Sequence, residues 1–200
     1  MKLYGTVTSP FVRRVRMVAD ELGVPVESID TAGPEGQAAL RAVSPIAKVP
    51  TAVLDGAVVF DSRAIIDLLL DAHGPGPLRA TTAATRVDEW NLLNAVDAAL
   101  EAAIRLFYLR RDGIDPAGIP YMVKEQDRVR AVMTWIDGHL HGPWCTREAG
   151  FGRAELALLT TADWMRFRQA YDVDAHPNIV ALAAAHAERP SAVRTRPAAT

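Results

Sequence analysis

The run His73-Gly74-Pro75-Gly76-Pro77 divides the chain. It can continue neither a helix nor a strand, and every strand signal lies before it. Upstream, short apolar alternations interleave with helical stretches, the pattern of an α/β unit. Downstream, apolar residues recur at helical spacing only. The expectation is therefore an α/β unit over 1–74, a linker over 75–81 and an all-α unit over 82–200.

Within the first unit, residues 2–7 read as a strand. A helix follows, with Ser9 as N-cap, Pro10 at its first position and Gly23 as its stop. Val12, Val15, Val18, Ala19 and Leu22 fall on one face of that helix. Val24–Ile29 alternates as a second strand, and a short helix is expected near 35–43. Thr51–Leu54 and Ala57–Phe60 flank Asp55-Gly56, a two-residue hairpin signal. A helix then runs from Asp61 or Ser62 to about Ala72, giving the order βαβαββα. In the second unit, helices are expected over 82–111, 120–140, 160–171 and 177–188. The polar tail Ser191–Thr200 is expected to fray.

The formal net charge of −2 carries no footprint for nucleic acid, which shows as a basic excess. Arg13, Arg14 and Arg16, like Arg110 and Arg111, read as solvated helix faces. Cys145 is the only cysteine, so neither an intrachain disulfide nor a Cys-x-x-Cys redox pair can form. Beside Trp144 it reads as a packed thiol. The five histidines form no cluster with metal-ligand spacing. The amino terminus lacks the apolar run of a signal peptide, and no apolar stretch is long enough to span a bilayer. The expectation is a cytoplasmic protein without membrane or nucleic-acid partners.

Three separated segments carry chemistry. Ser9-Pro10-Phe11 opens a helix, whose unpaired N–H groups and dipole favour an anion, a thiolate included. A serine hydroxyl there can also donate a hydrogen bond to such a thiolate, and the alternative is a simple cap. Thr8 is the nearer rival to Ser9. Tyr4, in the first strand, reads as a half-buried strand residue. A cis bond at Val49-Pro50 turns the Val49 backbone outward, where it can pair with an extended peptide. Asp61-Ser62 starts a helix and offers an acceptor for an ammonium together with donors for a carboxylate, which suits an α-amino-acid head group. Taken alone, this pair reads more simply as a helix cap. Trp90, Phe107, Tyr108 and Trp164 read as core at helical spacing. Phe107 and Tyr108 are also candidates to line an electrophile pocket.

The order βαβαββα carrying Ser9-Pro10-Phe11, Lys48-Val49-Pro50 and Asp61-Ser62, then a helical domain, resembles the glutathione S-transferase family. Within that family it resembles bacterial serine-type members with a Thr-Ser-Pro-Phe-Val-Arg start, here Thr8 to Arg13. The likeness extends to Thr160-x-x-Asp163, similar to the family's internal capping box, and to His176-Pro177-Asn178 and Glu188-Arg189-Pro190-Ser191. It implies a thioredoxin-like domain followed by a helical bundle, a homodimer, a detoxification role, glutathione as substrate or cosubstrate, and no metal. Residue by residue, it implies that Ser9 activates the thiol and that Phe11 lies in the glutathione site. Val49 then pairs with the glutathione cysteine, Pro50 is the cis proline and Lys48 reaches the glycyl end. Asp61 and Ser62 hold the γ-glutamyl end, although many members have glutamate where Asp61 stands. Val12 occupies the second-cysteine position of a redox motif, so dithiol exchange is excluded. The implied reaction adds the thiol to a small apolar electrophile. Alternatives are another glutathione-dependent reaction such as isomerisation, or a non-catalytic regulatory or protein-binding module.

Overall fold

The computed structural model describes residues 1–197, and the expectation for the tail at 198–200 lies outside the described residues. The chain forms two compact units. The first takes in Met1–Leu78 together with the chain from Glu188 onward, and the second is Arg79–Ala187.

The first unit is built on a four-stranded sheet. Strand β1 (Lys2–Tyr4) leads to helix α1 (Pro10–Glu21), β2 (Glu27–Ile29) and α2 (Pro34–Val43). The hairpin β3 (Thr51–Leu54) and β4 (Ala57–Val59) is followed by α3 (Ser62–His73). The spatial order is β2-β1-β3-β4, with β1 parallel to β2 and antiparallel to β3. The strands are shorter than the sequence alternation at 2–7 and 24–29 implies, because Val24 to Val26 and Gly5 to Val7 lie outside the paired ladder. Asp55 and Gly56, both at positive φ, make the hairpin turn that their residue types favour. Helices α1 and α3 pack together. Val15, Val18 and Ala19 of α1, Leu3 and Ala52 of the sheet, and Ile65 and Leu69 of α3 are all buried. Each large side chain of such a core contributes about 1.5–3 kcal/mol.

Helix α2 approaches the chain before it closely. A Cβ built on Gly36 would stand 1.9 Å from the carbonyl oxygen of Asp30. Backbone cannot swing aside as a side chain can, so Gly36→Ala is expected to destabilise the protein by about 1–3 kcal/mol in thermal unfolding.

The segment that begins at Glu188 contains helix α8 (Pro190–Thr195), which packs on α1. A fraying tail over 191–195 is therefore not what forms. The segment is held by Arg189 on Glu21, with Nε to Oε1 at 2.7 Å and Nη2 to Oε2 at 2.8 Å, and by Arg194 on Asp20. Arg13 and Arg14 correct a second expectation. Their relative exposures of 2% and 3% exclude a solvated face.

The second unit is helical: α4 (Arg86–Arg111), α5 (Pro120–His139), α6 (Arg153–Phe167) and α7 (Pro177–His186). Helix α4 packs on α5 and α6, and α7 packs on both α5 and α6. The unit's core centres on α6, which is buried from Ala154 through Ala162. That helix begins seven residues earlier than the expected start at Thr160, so Thr160 and Asp163 are interior positions and not a cap. The Thr160 hydroxyl donates back to the Leu156 and Ala157 carbonyls at 3.0 and 3.1 Å. The capping carboxylate is Glu155, which accepts from the Gly152 N–H at 2.9 Å. Apart from Glu155, the run from Ala154 to Thr161 is apolar or small on every side, so periodicity could not show where the helix starts.

Candidate functional site

Strand register decides which loops of the first unit meet. Tyr4, the last residue of β1, is paired with Thr51, the first of β3. Val59, the last of β4, is paired with Ala52. The chain leaving β1 towards Ser9, the chain entering β3 through Val49-Pro50, and the chain leaving β4 towards Asp61-Ser62 therefore emerge at one edge of the sheet. They emerge side by side, in the order β1, β3, β4. Adjacent strands lie about 4.8 Å apart, so the outer two segments are separated by about 10 Å at their roots. An extended tripeptide covers that span at about 3.3 Å per residue.

At the first segment, Ser9 is the N-cap of α1, in extended conformation, and its Oγ accepts from the Val12 N–H at 3.4 Å. A hydroxyl has two acceptor lone pairs and one donor, so this bond leaves the Ser9 O–H free to donate. Capping and ligand binding are thus compatible uses of one oxygen. Pro10 at the first helical position is buried, and Phe11 is half-buried, with the Arg14 guanidinium 4.9 Å from its ring centroid. The Thr8 hydroxyl lies 3.4 Å from that of Thr6. Tyr4 is half-buried in β1.

At the second segment, the Val49–Pro50 peptide bond is cis. Val49 is half-buried, and among the described residues neither its N–H nor its C=O has a hydrogen-bond partner. The Lys48 carbonyl accepts from the Thr51 hydroxyl at 3.0 Å, while its side chain is exposed and meets no carboxylate among the described residues. At the third segment, Asp61 caps α3, with Oδ1 accepting from the Arg63 N–H at 2.9 Å. Its side chain is exposed, and its other oxygen can accept from an ammonium. Ser62 follows at the first helical position, and is buried.

Phe107 and Tyr108 belong to the second unit. Phe107 stands edge-on to Trp164, with ring centroids 5.7 Å apart, and Tyr108 is 48% exposed under the Arg111 guanidinium. Trp90 is 52% exposed as well, so neither Trp90 nor Tyr108 is core. Cys145 is buried, and burial followed by the nearby Glu155 carboxylate pushes its thiol well above the usual range. It is a packed thiol, not a nucleophile. Sequence reasoning placed Arg13 and Arg14 on a solvated face and so missed their burial. The available signal was that 10, 14 and 18 share one helical row, as do 13 and 17.

Residues 3–77 match the family model described as glutathione S-transferase, N-terminal domain. A solved glutathione S-transferase of Methylobacillus flagellatus, with glutathione bound, superposes with a TM-score of 0.81. It is 26% identical, over 98% of this chain and 99% of that one. The chain has the glutathione S-transferase fold. That fold comprises the thioredoxin-like sheet unit and the helical unit described above. Among curated proteins, a probable maleylacetoacetate isomerase of Caenorhabditis elegans is 34% identical over 65 residues, 32% of this chain. Glutathione S-transferase 3 of Zea mays is 33% identical over 96 residues, 45% of this chain. The matches span 30% and 43% of those two relatives. Together these likenesses support the glutathione S-transferase family. Among the described residues no group of His, Cys, Asp and Glu could hold a metal ion, and no helix is long and apolar enough to cross a membrane.

Proposed function

We propose that the chain is a glutathione transferase, with Ser9 holding the glutathione thiolate and a small apolar electrophile as the second substrate. The observation that carries this reading is the meeting of Ser9, Val49-Pro50 and Asp61-Ser62 at one sheet edge, with the Val49 backbone groups unpaired. Val49 pairs with the cysteinyl residue as an added strand does. Asp61 accepts from the γ-glutamyl ammonium, and the Ser62 hydroxyl and helix N–H groups receive its carboxylate. Lys48, exposed and without a carboxylate partner among the described residues, meets the glycyl carboxylate. Phe11 packs along the peptide.

The chemistry asks little of the protein. The bound thiol gives its proton to solvent, and the Ser9 O–H and the α1 dipole stabilise the anion that remains. The sulfur electron pair then forms the new bond to carbon, and the electrophile expels its leaving group or takes up a proton. Phe107 and Tyr108 are the candidates to receive the electrophile. The bound glutathione in the Methylobacillus flagellatus structure supports the first substrate. A cytoplasmic homodimer completes the reading, with exposed Val87 and Trp90 of α4 as apolar surface for a second copy.

Calorimetric titration with glutathione, followed by a panel of electrophiles, tests the proposal. Binding in the micromolar-to-millimolar range with turnover of at least one electrophile is expected. Binding without turnover across the panel, or no binding heat at millimolar glutathione, overturns it in favour of a non-catalytic module.

A further inference from the structure

Arg13 is 2% exposed and lies one helical turn after Ser9. Its backbone N–H donates to the Ser9 carbonyl at 3.0 Å, the first rung of α1. Its guanidinium points the other way. Nη2 donates to the Ala192 carbonyl at 3.2 Å and Nε to the Thr195 hydroxyl at 3.4 Å, both on α8. Thr195 is fixed in turn, because its hydroxyl donates to the Ser191 carbonyl at 2.7 Å. At the other end of α1, Glu21 is held by Arg189 and by the Ser191 hydroxyl, and Asp20 by Arg194. Helix α8 is therefore clamped to α1 at its first turn and at its last.

A six-residue helix has no stability of its own, so α8 exists through this docking. An apolar side chain could fill the place of Arg13 with no loss of stability, since buried charges are often replaceable in this way. What an apolar residue cannot do is hold the first turn of α1 at a set rotation through directed bonds. Resting on the glutathione reading above, we infer that Arg13 is a positioning residue. By tying the first turn of α1 to Ala192 and Thr195 of α8, it sets where the Ser9 hydroxyl stands, and so how acidic the thiol bound there becomes. Residues some 180 positions away in the chain thereby act on the thiol through the helix that carries Ser9.

Thiolate absorbance of bound glutathione, titrated with pH on the full chain, tests this in Arg13→Met, Thr195→Val and Arg194→Gln. Arg13→Met is expected to raise the apparent pKa of the bound thiol by about one unit, tenfold in ionisation. Thr195→Val should shift it in the same direction by less, and Arg13→Lys should recover part of the loss. Arg194→Gln, at the far end of the clamp, should lower the melting temperature and leave the thiol pKa where it was. Folded Arg13→Met and Thr195→Val that bind glutathione with the wild-type thiol pKa overturn the proposal alone. So does Arg194→Gln shifting it as far as Arg13→Met. A wild-type protein that binds glutathione without forming thiolate near neutral pH, or does not bind it, overturns the glutathione reading and this inference with it. Should Arg13→Met fail to fold, Thr195→Val decides, because it removes the bond from Arg13 and the bond to the Ser191 carbonyl but no charge.

Discussion

Ser9→Ala is expected to cut conjugation at pH 7 by about 25-fold while leaving the rate at high pH nearly unchanged. A free cysteine thiol ionises near pH 8.5, and a hydrogen bond to a charged group contributes about 1.5–3 kcal/mol, equivalent to one to two pH units. A bound thiol brought to a pKa of about 6.5 is three-quarters ionised at pH 7, whereas one returned to about 8.5, the limit in which the hydroxyl outweighs the α1 dipole, is about 3% ionised. The ratio of those fractions gives the expected loss. The substitution also removes the cap of α1, at a cost of about 1 kcal/mol, which a chain of this size tolerates. The pH–rate profile is the decisive measurement. Its acid limb should move up by about two units in Ser9→Ala, and glutathione affinity measured by calorimetry should fall far less than the rate. A profile that stays in place assigns thiol activation elsewhere, and Thr8, one residue earlier in the same loop, is then the residue to substitute.

Local chemistry made much of the first unit legible. Pro10 and Ser9 at a helix start, Asp55-Gly56 at a hairpin, and Gly33 and Pro34 at the start of α2 each act within a few residues, so spacing alone places them. The relation between Ser9, Val49 and Asp61 is different in kind. It depends on the pairing of β1 with β3 and of β3 with β4, which no local rule states, and the family resemblance supplied it before the register did. Shared helical rows hinted at the burial of Arg13, but what buries it was out of reach for a related reason. An arginine beside an apolar stripe looks solvated unless the element that covers it is known, and α8 lies at the opposite end of the chain. The second unit failed in the opposite way. Between Phe151 and Ala162 nearly every residue is apolar or small, so a helix buried all round offers no amphipathic edge to mark its start.

That misplaced start leads to the largest stability effect expected here. Glu155, 0% exposed, accepts from the Cys145 N–H at 2.7 Å through Oε1 and from the Gly152 N–H at 2.9 Å through Oε2. The same Oε2 lies 3.4 Å from Arg79 Nη2, which also holds the buried Glu89 at 3.0 Å. One carboxylate thus caps α6, fixes the chain at Cys145 and shares a buried guanidinium. Glu155→Ala strands two buried N–H groups, at about 1–3 kcal/mol each, and opens a cavity beside Arg79. Glu89 remains to neutralise Arg79, which keeps the total to about 3–5 kcal/mol, the range for breaking a buried pair. At about 2–4 °C per kcal/mol for a protein of this size, the melting temperature should fall by about 6–20 °C. Glu155→Gln keeps one carbonyl acceptor and should lose less. Thr160→Val is the control, because the Thr160 hydroxyl bonds to carbonyls of its own helix, an interaction of little net value. Its loss should stay below about 1 kcal/mol. Thermal unfolding that ranked Thr160→Val above Glu155→Ala would return the cap to the Thr160-x-x-Asp163 spacing and refute the assignment to Glu155.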